Sequence, residues 1–152
     1  MSYNKDLAQE IILDHNKSPY HREVPQSYTH NAKGENKQRG DKIEVYLTIE
    51  NDQIKRASFW GNGGAVFTAS ASIMAKTVTG KSIDEARATF KKFTSLFKAG
   101  DEECNEENFG EMFIFCGIKE FPARVKCSTL PWYTMIGAID KKIETISTEL
   151  FY

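Results

Sequence analysis

The sequence has no long hydrophobic run, no excess of either charge and few cysteines. Its 152 residues contain 20 Lys and Arg against 21 Asp and Glu, so the net charge is -1. Because there is no bulk positive field to gather polyanions, we expect neither nucleic acid nor a membrane as a partner. No apolar stretch reaches the roughly 18 residues that cross a bilayer, and residues 1–6 lack the apolar core of a signal peptide. We therefore expect a cytoplasmic protein.

The three cysteines are too few and too widely spaced to suggest a disulfide framework. Cys104, Cys116 and Cys127 are odd in number, and in a reducing compartment this pattern predicts free thiols. Cys116 ends the short apolar stretch 112–116, so we interpret it as a core residue. Cys104 lies in the acidic stretch 101–111, which we expect to be an exposed loop. Nearby carboxylates disfavour a thiolate there, so Cys104 is interpreted as incidental.

The length fits one domain, and we expect a single domain over residues 1–152. Alternating apolar residues at 42–50, a turn at Asn51-Asp52 and a return strand at 53–60 predict an antiparallel hairpin. A first helix should begin at the N-cap Asn4 and end at His15, and residues 16–40 are interpreted as a long loop. Helical patterns follow at 65–78, with Gly80 as its stop, and from the Ser82 capping box to Gly100.

The last helix is predicted to start near Thr129, with Pro131 in its first turn. Its buried face should carry Ile136, Ile139, Ile143 and Ile146. The order of elements predicts an α+β fold: a small antiparallel β-sheet with helices packed on one face. The residues expected between sheet and helices alternate along the strands or repeat at helical spacing: Ile43, Val45, Leu47, Ile49, Phe59, Ala69, Ile73, Phe90, Phe93, Ile136 and Ile139.

Four short motifs follow one another through the chain. They are DHNKSP at residues 14–19, Gly40-Asp41, GNGG followed by ASAS between residues 61 and 72, and FPARVKCSTLPW at residues 121–132. Together, in this order, they resemble the NifU/IscU-type iron–sulfur cluster assembly scaffold family, in its SufU branch. The last motif is the most specific. The resemblance covers nearly the whole chain, from Tyr3 to Ile146.

The resemblance implies the SufE/NifU-like fold and a scaffold or sulfur-carrier protein, not an enzyme. Members of the family hold an iron–sulfur cluster or a zinc ion on three cysteines helped by an Asp. They receive sulfur from a cysteine desulfurase, which is therefore the expected partner. Apo-proteins that accept clusters, or another scaffold, are further expected partners.

The chain departs from the family at the metal site itself. The family's first and second cysteines correspond to Arg39 and Gly64, while the Asp and the third cysteine correspond to Asp41 and Cys127. A structural zinc requires four ligands, so this incomplete set of Asp41 and Cys127 predicts weak metal binding or no cofactor at all. His30 or Cys116 could supply a missing ligand. His15 and His21 are interpreted as capping or surface residues.

Cys127 is the candidate sulfur acceptor. We expect its thiolate to be favoured by Arg124, Lys126 and a following helix N-terminus. The alternative is a metal-free interaction or regulatory module that docks the desulfurase or a scaffold partner. An enzyme with repurposed chemistry is a third possibility, but no acid–base set is visible. We further hypothesise that Arg39 substitutes electrostatically for the metal, because its fixed positive charge can pair with the Asp41 carboxylate.

Overall fold

The structure is a computed structural model that describes residues 3–151. A three-stranded antiparallel sheet in the order β1-β2-β3 is flanked by helices. The elements in chain order are α1 (Lys5–Lys17), β1 (His30–Asn36), β2 (Asp41–Glu50), β3 (Gln53–Asn62), α2 (Ala65–Val78), α3 (Ile83–Leu96), α4 (Glu106–Phe109), a 3₁₀ helix (Gly110–Ile118) and α5 (Pro122–Ile139). Within the described residues, no helix is both long and apolar enough to span a membrane.

The hairpin of β2 and β3 forms where the alternating pattern predicts it. Its turn residues Asn51 and Asp52 both have positive φ, at 51° and 61°. Two consecutive left-handed residues are typical of a type I′ turn, and Asn and Asp tolerate this conformation. The side chains of Val45, Leu47 and Phe59 are consequently buried on the same face of the sheet.

The predicted α+β architecture is confirmed. Ile43 is buried with these three strand residues, and Ile49 packs against the core from a partly buried position. On the helical side Ala69, Ile73 and Phe93 are fully buried. The Phe93 ring stacks on Trp132 of α5 at a centroid separation of 4.5 Å, which joins α3 to the core.

The prediction of a loop over residues 16–40 is wrong for its last part, because His30–Asn36 forms β1. Its sequence, HNAKGEN, has no large apolar residue, so the alternation that marks β2 is invisible here. The inward positions are nevertheless Ala32, Gly34 and Asn36, all buried. A Cβ at Gly34 would clash with the hydroxyl of Thr134, so glycine allows α5 to pack directly on the strand.

The predicted start of the last helix is also wrong. The helix begins at Pro122, a position where the missing N–H costs little, and Pro131 lies inside it. Thr129 is not its cap, since its hydroxyl donates to the Val125 carbonyl at 2.8 Å within the helix. Ile143 lies beyond the end of the helix and is 97% exposed, so it does not belong to the buried face.

The prediction of three free cysteines is wrong. Cys104 and Cys116 form a disulfide with a Cα separation of 5.8 Å, inside the usual range for such a bond. Both residues are buried, although Cys104 was expected in an exposed loop. Sequence spacing misses the pair because the chain turns back after α3 and sets residue 104 against the 3₁₀ helix.

His15 is buried and is not a surface residue as predicted. Its Nδ1 lies 2.6 Å from the hydroxyl of Ser72, and its Nε2 lies 3.2 Å from the Glu111 carboxylate. Glu111 also pairs with Lys76 at 3.0 Å, so the acidic stretch is fixed at this end to α1 and α2. The Ser72 hydroxyl also accepts a hydrogen bond from the Tyr20 amide at 2.7 Å. This bond connects the loop after α1 to α2.

The disulfide should stabilise the fold because it constrains the loop that it closes in the unfolded chain. Its sequence separation is 12 residues, for which chain entropy gives about 3 kcal/mol. We expect the free energy of unfolding of the oxidised protein to exceed that of the reduced protein by about this amount in urea titrations. The double variant Cys104→Ser with Cys116→Ser should not respond to reductant, whereas Cys127→Ser should respond like wild type. Detection of three reactive thiols in the unreduced, unfolded protein would contradict the assignment.

Candidate functional site

The turn between β1 and β2 presents two of the predicted site residues. The backbone carbonyl of Asn36 accepts from the amides of Arg39 at 3.2 Å and Gly40 at 2.9 Å. Gly40 has φ of 76°, a left-handed conformation that favours glycine. This tight turn holds Arg39 at its tip and places Asp41 at the start of β2, directly across from Asn36.

The glycine segment between β3 and α2 packs against Asp41. A Cβ at Gly63 would lie 2.8 Å from Asp41 Oδ1 and would clash with the Phe67 ring, so only glycine fits there. At Gly64 the same test finds open space, and the backbone is extended with φ of -74°. A side chain could therefore be accommodated at Gly64, the position predicted to correspond to the family's second cysteine.

Cys127 lies in α5 and is 5% exposed. Pro131, four residues later, has no N–H to donate to the Cys127 carbonyl, so the helical hydrogen-bond pattern is interrupted at the site residue. The side chains of both Asp41 and Arg39 lie close enough to the thiol to shift its pKa. The structure thus brings together Arg39, Asp41 and Cys127, which are widely separated in sequence.

Electrostatics at the site oppose the expected thiolate. Burial, followed by the neighbouring Asp41 carboxylate, raises the pKa of the Cys127 thiol to about 11, and Arg39 lowers it only in part. The expectation is wrong for two reasons. Cys127 lies inside α5, not before its N-terminus, and the Arg124 guanidinium lies 5.2 Å over the Phe121 ring.

The other candidate ligands lie elsewhere. His30 is at the opposite end of β1 from Asn36, about 20 Å away along a strand of this length. Its Nδ1 pairs with the Thr29 hydroxyl at 2.7 Å. Cys116 is held in the disulfide with Cys104. His21 lies in the long loop, where Nδ1 is 2.8 Å from the Ala57 carbonyl.

The donor set does not fit a tetrahedral zinc ion. Asp41 is 2% exposed and its Oδ2 has no hydrogen-bond partner among the described residues, so the carboxylate has an unused acceptor. Zinc needs four ligands, and Arg39 brings a cation to a ligand position. Over residues 3–151, no group of three or more His, Cys, Asp or Glu side chains is arranged to hold a metal.

Two polar residues next to the site were missed by sequence reasoning. Asn36 and Thr148 are both fully buried, and their side chains hydrogen-bond each other at 2.9 Å. Asn36 begins the polar stretch 36–40 that ends at Gly40, and Asn and Gly are both frequent in turns, which is the one local signal that could have marked it. Thr148 carries no local signal, because its burial depends on where the chain passes after α5.

The fold and the site together define a class of protein. It is a small α+β domain in which the β1–β2 turn, the glycine segment before α2 and the helix α5 meet at a cysteine and an aspartate. Residues 7–128 match the family described as the NifU-like N terminal domain. The chain belongs to this family, which confirms the resemblance found in the four motifs.

Named relatives are similar over most of their length. The chain is 33% identical to the iron-sulfur cluster assembly scaffold protein IscU of Streptococcus pyogenes serotype M1, covering 89% of this chain and 84% of the relative. It is 30% identical to the zinc-dependent sulfurtransferase SufU of Bacillus subtilis (strain 168), covering 93% and 97%. A solved structure of a putative SUF-system scaffold from Fervidobacterium islandicum AW-1 superposes with a TM-score of 0.76 at 28% identity, covering 86% and 94%.

The raised pKa of Cys127 predicts slow alkylation at neutral pH. The rate should rise with pH to a midpoint near 11, well above the value of about 8.5 for an unperturbed thiol. Because folding raises this pKa, the associated stability is present below the unfolded value and is lost as the pH rises through the folded value.

Arg39→Gln should raise the pKa of Cys127 further, since the guanidinium lowers it. The free energy of unfolding should fall by less than about 1 kcal/mol, because Arg39 is exposed and interactions of exposed charges are weak. The matched control is Lys37→Gln in the same turn: both side chains are exposed, but only Arg39 acts on the Cys127 thiol. Equal alkylation profiles for the Arg39 and Lys37 variants would show that Arg39 does not act on the thiol.

The incomplete donor set predicts that the purified protein holds much less than one zinc or iron per chain. Restoring the two cysteines with Arg39→Cys and Gly64→Cys should raise zinc to near stoichiometry, because four donors then meet. The measurement is metal analysis after gel filtration in a weak chelator. The same double variant carrying Cys127→Ser is the control and should lose the gain. Stoichiometric zinc in wild type would contradict the prediction.

Proposed function

We propose that this chain is an iron–sulfur cluster assembly protein that accepts sulfur from a cysteine desulfurase on Cys127, with a reduced metal site. The observation that supports it is the retention of Cys127 against Asp41, where the family's ligand loops meet, in a chain with no other free thiol among the described residues. The names of its relatives, an assembly scaffold and a sulfurtransferase, support the same role.

The proposed transfer is a thiol exchange without net oxidation. The sulfur of Cys127 attacks the outer sulfur of a persulfide on the desulfurase cysteine. A new S–S bond forms on Cys127, the S–S bond of the donor breaks, and the donor cysteine leaves as a thiolate. The proton released from Cys127 ends on that leaving thiolate, so atoms, charge and electrons balance.

The neighbours of Cys127 have complementary parts in this step. With a pKa of about 11 the thiol of the isolated chain is protonated near neutral pH, so it must lose its proton as sulfur arrives. The Asp41 carboxylate, whose Oδ2 is unpaired among the described residues, takes up that proton and then passes it to the leaving donor thiolate. The Arg39 guanidinium then stabilises the thiolate that develops.

A resident zinc has no place in this proposal, because the donor set does not fit the ion. An iron–sulfur cluster would be cargo, and further donors would have to come from a second protein. Apo-protein acceptors or another scaffold are the partner classes that could provide them.

A second candidate function is a metal-free interaction or regulatory module that docks the desulfurase or a scaffold partner. It is favoured by the burial of Cys127 and by its high pKa, both of which make the isolated thiol a poor nucleophile. In this case the fold would retain the docking surface and Cys127 would carry nothing.

Transfer of labelled sulfur separates the two functions. A cysteine desulfurase loaded with radioactive persulfide is mixed with the chain, and the peptide containing Cys127 is isolated without reductant. We expect label on this peptide in wild type and none in Cys127→Ser. Binding of wild type and of Cys127→Ser to the desulfurase is measured in parallel by calorimetry. Binding without label would favour the interaction module, and neither binding nor label would contradict both functions.

A further inference from the structure

The chain after α5 returns to the site and is held there. Ile146 forms a parallel bridge with Gly34, in which the Glu35 amide donates to the Ile146 carbonyl and the Ile146 amide to the Lys33 carbonyl, both at 2.8 Å. Two residues later Thr148 is fully buried, although Thr145 and Ser147 are exposed. A threonine buried in an otherwise exposed segment indicates a specific polar contact.

That contact is the side-chain amide of Asn36. Its Nδ2 donates to the Lys126 carbonyl at 3.1 Å and to the Thr148 hydroxyl at 2.9 Å. Its Oδ1 accepts from the Thr148 amide at 2.9 Å and from the Ser147 hydroxyl at 3.2 Å. Both donor hydrogens and both acceptor positions are therefore used, as a buried amide requires.

The carbonyl of Lys126 also accepts a hydrogen bond from the segment after α5. The Thr148 hydroxyl donates to it at 2.7 Å. Lys126 immediately precedes Cys127, whose own carbonyl lacks a helical donor because Pro131 has no N–H. Next to this interruption of the helix, the Lys126 carbonyl is therefore held by the side chains of Asn36 and Thr148, which both lie outside α5.

The same asparagine also holds the other half of the site. Its backbone carbonyl accepts from Arg39 and Gly40, and its strand partner is Asp41. One residue therefore connects the turn that presents Arg39 and Asp41 to the peptide that precedes Cys127.

We propose that Asn36 and Thr148 form a clamp that positions Cys127 against Asp41 and Arg39 for sulfur transfer. This inference rests on the proposed function of Cys127 as the acceptor. Both are positioning residues: they act through the Lys126 carbonyl and the turn, and they do not contact the incoming sulfur. Without the clamp the thiol moves away from the carboxylate and guanidinium, and small displacements of reacting groups strongly reduce rates.

The test compares Thr148→Val, which keeps the shape but removes the hydroxyl, with Thr148→Ser, which keeps the hydroxyl. For Thr148→Val we expect at least a tenfold loss in the maximal rate of sulfur transfer, with the KM for desulfurase within twofold of wild type. Thr148→Ser should restore the rate to within threefold. The matched control is Thr145→Val in the same segment, which should behave as wild type.

Iodoacetamide modification of Cys127 at one fixed pH tests the clamp without any desulfurase. Loosening should increase the rate at least fivefold in Thr148→Val but not in Thr148→Ser or Thr145→Val. If wild type accepts no sulfur but this pattern holds, the proposed function fails and the clamp stands. If Thr148→Val matches wild type in both assays, or Thr148→Ser is equally altered, the clamp is refuted. Should Thr148→Val not fold in urea titrations, Thr148→Ala replaces it in the same comparisons.

Discussion

The hydrogen-bonding requirement of one buried amide organises the functional end of this protein. A side-chain amide removed from water must find partners for two donors and two acceptor positions, or it costs stability. The Asn36 side chain finds these partners in α5 and in the segment after α5. Its backbone carbonyl closes the turn between β1 and β2. Polar contacts of Asn36 therefore hold together the β1–β2 turn, α5 and the segment after α5, which are distant in sequence.

Charge balance at the site is a consequence of this convergence. Asp41 and Cys127 are brought into a buried position where two negative charges would repel each other. The chain meets the problem in two ways: the thiol retains its proton, as its raised pKa indicates, and Arg39 contributes a fixed positive charge.

Two of the errors made from the sequence concern features whose stabilising contact is distant along the chain, and the misplaced start of α5 has a local cause. Polar β1 has no apolar alternation, since its inward positions are small or polar so that α5 can approach. Thr129 and Pro131 imitate a helix start, yet the helix begins earlier because Pro122 is equally suited to a first turn. Cys104 looks exposed among acidic neighbours, but the turn after α3 buries it against Cys116.

The sequence by itself determined the hairpin, its turn, the buried α2 and the capping box of α3, because period, turn residues and caps are local properties. It also determined the family. Only the tertiary structure decided that Cys127 would be a protonated thiol, since its pKa depends on burial and on Asp41, more than eighty positions earlier in the chain. The tertiary structure likewise decided that Thr148 would hydrogen-bond Asn36 and the Lys126 carbonyl next to the site. A residue's desolvation and its hydrogen-bond partners are set by what packs around it, and no local pattern records them.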